Sequence, residues 1–386
     1  MKNTDKRVVL LVLDSVGIGE LPDAADYGDV GAHTLGHIAE TVDGFKLPHL
    51  EEMGLGNIEG LPQIPAVEMP RASFGRMIEQ AQGKDTATGH WEFVGIVMDE
   101  PFRTFPQGFD DEIIDAFCEA IGVDGVLGNK AASGTVIIEE LGREHIATGK
   151  PIVYTSADPV FQIAAHEDVV DIETLYQWCQ AAYEIAIPAG MSRVIARPFV
   201  GQWPDYERTA RRKDFTFPPP RETVLDALQA AGVRTTAVGK IGNIFASQGL
   251  SDEIKTTDND HGVEMTVHCL GDRDGLIFVN LVDFDSKYGH RRNPQGYGDA
   301  LMRFDDQLPV ILQAMDDGDL LIITADHGND PTYRGTDHTR EYVPLLVFHK
   351  GGTNGLDLGT RATFADIGAS VADFFGVDWP QGTSFL

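Results

Sequence analysis

The sequence predicts an α/β protein whose mostly parallel sheet is sandwiched by helices and interrupted by an inserted α+β cap domain. Three observations carry this. Strand-like apolar runs alternate with helical stretches on both sides of a central segment. Three of the runs, residues 7–13 (RVVLLVL), 276–282 (LIFVNLV) and 320–324 (LLIIT), stop abruptly at acid: Asp14, Asp283 with Asp285, and Asp326. The stretch between them, 99–220, alternates helix and strand with no acid-ended strand and closes on a basic run and three prolines, RTARRKDFTFPPP. The core is therefore expected at 1–98 and 221–386, with the insertion at 99–220.

Taken in order, residues 7–13 read as a buried strand, and 34–40 and 48–53 as short helices. Residues 73–78 (SFGRMI) follow as a strand. Inside the insertion, 111–121 is an amphipathic helix, 129–134 a turn, 136–141 with its flanks a helix, and 151–155 a strand. A second long helix at 172–186 and a strand at 192–196 follow. Beyond the prolines, 221–231 is a helix with Gly232 as its cap, and 233–238 a strand. Residues 294–315 form a long helix, 343–348 (VPLLVF) a strand, and 363–375 the terminal helix.

Composition narrows the function. A chain of 386 residues that is 42% hydrophobic buries a substantial core. A formal charge of −30 argues against nucleic acid or an anionic membrane as partner. No apolar run has the length of a membrane span, and Asp14 ends the first apolar run too early for a signal peptide. Cys118, Cys179 and Cys269 are scattered, as in proteins of the reducing cytoplasm. There is no GxGxxG and no Walker loop.

Chemistry concentrates where the acid-ended runs stop. Segment 320–338 (LLIITADHGNDPTYRGTDH) places Asp326-His327 and Asp337-His338 just past a strand, and His290 follows Asp285 by five residues. The carboxyl edge of a parallel sheet is where ligands gather. Carboxylates with imidazoles and no thiolate suit hard or borderline divalent ions, Mn²⁺ or Zn²⁺. Any one of these acids could serve only as a helix cap; the recurrence of three points to metal. Residues 84–92 (KDTATGHWE) hold two hydroxyls, Thr86 and Thr88, either of which a neighbouring cation could turn into a nucleophile. Lys240, at the turn after 233–238, is either a phosphate contact or a solvated loop lysine.

Together, KDTATGHWE, DFDSKYGHRR, TADHGNDPTYRGTDHTREYVPLLVF, VLDSVGIGELPDA and VGKIGNIF resemble the bacterial phosphopentomutase family of the alkaline-phosphatase-like metalloenzyme superfamily. The resemblance covers nearly the whole chain. It implies one Mn²⁺ held by Asp285, His290 and His338, and a second held by Asp14, Asp326, His327 and Thr86. It also selects Thr86 over Thr88 as the residue that carries a phosphoryl group. The implied reaction interconverts α-D-ribose 1-phosphate and D-ribose 5-phosphate, and the 2-deoxyribose pair, primed by glucose 1,6-bisphosphate or a pentose bisphosphate. The partners are then small sugar phosphates. Asp158, Arg197, Arg208 and Arg212 of the insertion, with Lys240, are the residues expected to hold substrate. Cofactor-independent phosphoglycerate mutase shares the metal-ligand blocks but uses a serine in a longer chain.

Overall fold

The computed structural model describes residues 6–156 and 159–386. Its strands are β1 (Arg7–Leu13), β2 (Ser73–Met77), β3 (Leu127–Ala131), β4 (Ile152–Thr155) and β5 (Val160–His166). After these come β6 (Arg193–Gln202), β7 (Asp205–Arg208), β8 (Lys213–Thr216), β9 (Thr235–Val238) and β10 (Asp252–Ile254). The last are β11 (Gly275–Leu281), β12 (Leu320–Thr324), β13 (Val343–His349) and β14 (Asp357–Arg361). The chain divides into two compact units, Met1–Glu100 with Pro218–Leu386, and Pro101–Phe217.

The larger unit holds a sheet in the order β10-β9-β11-β1-β12-β13-β2-β14. Every neighbouring pair is parallel except those made by β13, which runs against β12 and β2. Strands β11 and β12 are buried at every position, and β1 at every position after Arg7, as strands covered on both faces must be. The helices supply that cover in two packing groups. Helices Asn259–Asp272, Thr34–Thr41 and Pro48–Met53 pack on Pro294–Ala314, while Thr86–Phe93 and Val224–Ala230 pack on Ala365–Phe375.

Register decides what this sheet can do. Leu13 of β1 lies beside Leu281 of β11, and Val12 beside Thr324 of β12. The three central strands thus stop at one level, and the next residues of each chain emerge side by side at the carboxyl edge.

The smaller unit has a mixed sheet, β3-β4-β5-β6-β7, with β8 on β6. Helices Asp111–Ile121 and Ile172–Ala186 pack together over Phe105, Phe109, Phe117 and Phe161. Helix Gly134–Thr148 packs on β3, β4, β5 and β7 over a second apolar cluster that includes Ile137, Tyr154 and Phe199.

Several elements differ from expectation. The turn expected at 129–134 is partly β3: LGNKA carries no apolar alternation, and Asn129 takes a left-handed φ of 47° at a register shift. Strand β5 escaped notice because its run follows the Ala-Asp-Pro break. The helix expected from 221 begins at Val224, because Thr223 and Asp226 close a capping box around its first turn. Edge strands β7, β8, β10 and β14 are short and polar, and helix Asn259–Asp272 has weak periodicity.

Candidate functional site

Asp14 directly follows β1 and is fully buried. Its Oδ2 accepts from Asn280 Nδ2 at 2.9 Å, and its Oδ1 accepts no hydrogen bond among the described residues. Asp326, two residues beyond β12, accepts the Ser15 amide on Oδ1 at 3.0 Å and aims Oδ2 at His327 Nε2, 3.3 Å away. Ser15 itself holds a left-handed φ of 72°, and its hydroxyl meets buried Tyr297 at 2.9 Å. That left-handed backbone points the Ser15 amide at Asp326.

His327 fixes the chemistry of the cluster. Its Nδ1 lies 3.0 Å from the Gly328 carbonyl, which can only accept, so the proton resides on Nδ1. The Nε2 lone pair then faces Asp14 Oδ1 at 3.6 Å, Asp326 Oδ2 at 3.3 Å and the Thr86 hydroxyl at 3.2 Å. Burial drives the imidazole down to about 4, keeping it neutral at physiological pH. Burial, reinforced by the Asp326 charge, raises Asp14 well above the usual carboxylate range, while the Lys240 ammonium pulls the other way and so lies within electrostatic reach. Burial also opposes ionisation of Asp326, but His327 and His90 outweigh it and hold that carboxyl at about 2.

A second group adjoins the first. Asp285 Oδ1 lies 3.5 Å from His338 Nε2 and accepts from Asn329 Nδ2 at 2.7 Å; Oδ2 lies 3.2 Å from His290 Nε2. His290 Nδ1 meets the Thr336 carbonyl at 2.7 Å, which again turns the Nε2 lone pair inward. Burial disfavours the Asp285 anion, yet His338 and His290 hold it well below its ordinary range. Ligand atoms of Asp285, His327 and His338 lie within 4.8 Å of one another, as do those of Asp14, Asp326 and His327. His327 is common to both groups; His290 joins through Asp285.

The residues fit divalent cations. Asp14 Oδ1 accepts no hydrogen bond among the described residues and faces the His327 Nε2 lone pair and Asp326 Oδ2, a gathering of buried acceptors that a cation would stabilise. All the donors are oxygen or nitrogen.

Thr86 opens helix Thr86–Phe93. Asp85 caps it by accepting from Ala87 N and Thr88 N, and Thr88 Oγ1 donates to the Asp85 carbonyl at 2.9 Å. The Thr88 hydroxyl is thus consumed by the cap, whereas the Thr86 hydroxyl faces His327. The residues of KDTATGHWE alone could not make that distinction. Gly89 allows the approach, since a Cβ there would sit 2.2 Å from the Asp326 carbonyl oxygen. Gly89→Ala is expected to cost roughly 1–3 kcal/mol and most of the activity, because the opposing atom is backbone and cannot rotate away. Urea midpoints and turnover check this; wild-type values for both would refute the packing argument.

Other residues expected to hold substrate lie in the smaller unit. Arg197, Arg208 and Arg212 all act electrostatically on the buried Tyr154 phenol, so they form one basic cluster. Arg197 donates to Gln162 at 3.0 Å, and Arg212 grips Asp214 with two 2.7 Å bonds. Asp158 lies outside the described residues.

Sequence reading missed the supports. Asn280 holds Asp14 and lies 3.4 Å from His90 Nε2; His90 Nδ1 lies 2.9 Å from the Thr86 carbonyl. Asn280 had a signal, as the one polar side chain inside LIFVNLV. Ser15 and Asn329 had none.

Comparison with known proteins identifies the family. A family model described as Metalloenzyme superfamily matches residues 6–379. A curated phosphopentomutase of Anaeromyxobacter dehalogenans is 56% identical, with 100% of this chain and 99% of that protein aligned. Another, from Symbiobacterium thermophilum, is 52% identical over 98% of both. Among solved structures, the PH0037 protein of Pyrococcus horikoshii superposes with a TM-score of 0.51 at 15% identity, covering 98% of this chain and 100% of that one, which bears on the fold alone. The chain belongs to the phosphopentomutase family of the metalloenzyme superfamily and is an isomerase that moves a phosphoryl group within its substrate.

Proposed function

We propose that the enzyme interconverts α-D-ribose 1-phosphate and D-ribose 5-phosphate, and the 2-deoxyribose pair, through a phosphothreonine at residue 86 beside two Mn²⁺ ions. The observation that carries this reading is the Thr86 hydroxyl, 3.2 Å from His327 Nε2 and at the junction of the carboxylate–imidazole groups. Asp285, His290 and His338 would hold one ion, and Asp14, Asp326 and His327 the other. Bound there, the cations supply electrostatic stabilisation of the charge on the transferring phosphoryl group.

The residues do the rest by position. Phosphorylated Thr86 gives its phosphoryl group to the free sugar hydroxyl of a pentose monophosphate: the Thr86 Oγ–P bond breaks as the sugar O–P bond forms. The resulting pentose bisphosphate turns round, and Thr86 Oγ takes the other phosphoryl group, releasing the isomeric monophosphate. Glucose 1,6-bisphosphate, or a pentose bisphosphate, would phosphorylate Thr86 at the outset. The first turn of its helix presents positive partial charge to that phosphate. Lys240, within electrostatic reach of Asp14, would hold a phosphate oxygen.

Residues 99–220 would act as the cap that distinguishes mutase from hydrolase, with Arg197, Arg208, Arg212 and Asp158 gripping the far end of the sugar phosphate. Arginines suit this because their planar forks bind phosphate oxygens in pairs. Arg197→Met should then raise KM for ribose 5-phosphate about tenfold or more while hydrolysis of a generic aryl phosphate changes less than about twofold. Equal loss of both would make Arg197 scaffold only. For the reading as a whole, turnover of ribose 5-phosphate against 3-phosphoglycerate, with and without Mn²⁺, is the assay. Mn²⁺-dependent activity confined to the pentose supports it, and activity confined to 3-phosphoglycerate rejects it.

A further inference from the structure

We infer that Arg292 is a positioning residue dedicated to one of the two cation sites, that of Asp285, His290 and His338. The inference rests on the two-cation reading above. Arg292 follows His290 by two residues and holds a left-handed φ of 52°, a conformation that a residue with a long side chain adopts only when its surroundings impose it. What imposes it is visible. Its guanidinium donates through Nη1 to Asn329 Oδ1 at 3.0 Å, the Asp330 carbonyl at 2.8 Å and the Gly289 carbonyl at 3.3 Å. Nη2 donates to the Asp337 carbonyl at 3.3 Å, and Nε to the Gly335 carbonyl. One half-buried fork thus gathers both ends of the loop between His327 and His338 and ties them to the turn that carries His290.

Four of these five bonds lead to a ligand of the same ion, and the fifth, to the Asp330 carbonyl, anchors the start of the loop. Asn329 has its amide orientation set, because an oxygen that accepts from Arg292 leaves Nδ2 to donate to Asp285 Oδ1 at 2.7 Å. The Gly335 and Asp337 carbonyls flank Thr336, whose carbonyl holds His290 Nδ1 at 2.7 Å. Asp337 directly precedes His338. Asp285, His290 and His338 are therefore all oriented, at one remove, by a single side chain. Asp14 and Asp326 are held independently, by Asn280 and the Ser15 amide. Outer partners of metal ligands commonly control affinity by tenfold or more, and the three ligands that Arg292 orients all belong to one ion of two.

The test is calorimetric titration of Mn²⁺ into chelator-stripped full-length protein, with bound metal counted by elemental analysis. The wild type should take up two equivalents. Arg292→Met should keep one at its wild-type Kd and bind the other about tenfold or more weakly. Arg292→Lys should be weakened at the same equivalent, since an ammonium carries the charge but not the fork. Uniform weakening of both equivalents, or of neither, with the circular dichroism spectrum unchanged, would overturn the assignment. Should Arg292→Met fail to fold, Asn329→Ala breaks the relay to Asp285 alone and must weaken the same single equivalent; two unaltered equivalents there would overturn it. A wild type that binds one equivalent would instead overturn the two-cation reading itself, and the selectivity with it.

Discussion

Thr86→Ala is expected to lower mutase turnover by roughly 10⁴-fold or more, the scale seen when a covalent nucleophile is removed from an otherwise intact site. The fold should hardly notice. Thr86 lies in the first turn of its helix, the Asp85 cap grips Ala87 and Thr88 rather than Thr86, and alanine is a good helix former. Loss of the contact between Oγ1 and His327 should cost about 1 kcal/mol. Metal content should stay near wild type, since the carboxylates and imidazoles remain. Thr86→Ser should retain measurable turnover, as it keeps a hydroxyl at the same point. Thr88→Val should mainly loosen the helix start, because the Thr88 hydroxyl serves the cap. Turnover of the three variants beside their melting temperatures separates these roles. Full loss in Thr88→Val with a stable fold and an active Thr86→Ala would reverse the assignment.

Chelation is expected to erase activity and to leave the helical signal largely intact. Strands β1, β11 and β12 owe their order to apolar burial on both faces, so the fold should outlast the ions. Stability should nevertheless fall. Without cations, buried Asp14 and Asp326 are left close together across His327, and the Asp326 charge opposes ionisation of Asp14. Each ion at 100 times its Kd should contribute about 2.7 kcal/mol by linkage. The pH dependence has a definite sign. Burial and Asp326 raise the Asp14 carboxyl, so protons compete with metal there, and Mn²⁺ affinity should rise as pH increases through that raised value. His327, pushed down to about 4, should not compete at pH 5 and above. Titrations of Mn²⁺ at pH 5, 6 and 7 read this directly. Full activity after verified metal removal, or affinity that falls as pH rises, would contradict the account.

Much of the fold was legible because its strongest signals are local. RVVLLVL, LIFVNLV and LLIIT are apolar at nearly every position, as strands covered on both faces require, and each runs into acid. Their side-by-side placement was not legible. It depends on the order β11-β1-β12 and on a register that matches Leu13 with Leu281, both set by packing across the whole sheet. The short polar strands β7, β8 and β10 have no apolar face to announce them. At the site, Asp and His were recognisable as chemistry-bearing residues, but the partners that aim them were not. Ser15 acts through its own backbone amide and Arg292 largely through bonds to main-chain carbonyls, both from left-handed backbone conformations, which leave no pattern in residue type. KDTATGHWE by itself did not separate Thr86 from Thr88; the family resemblance selected Thr86, and the capping geometry at Asp85 occupies the Thr88 hydroxyl.

The most direct test of the phosphothreonine mechanism is peptide mapping by mass spectrometry of the wild-type protein after incubation with Mn²⁺ and glucose 1,6-bisphosphate. Fragmentation should place a single added phosphoryl group on Thr86, and a chase with ribose 5-phosphate should remove it as ribose 1-phosphate forms. A phosphoryl group on Thr88, or an unphosphorylated Thr86 in enzyme trapped during turnover, would contradict it.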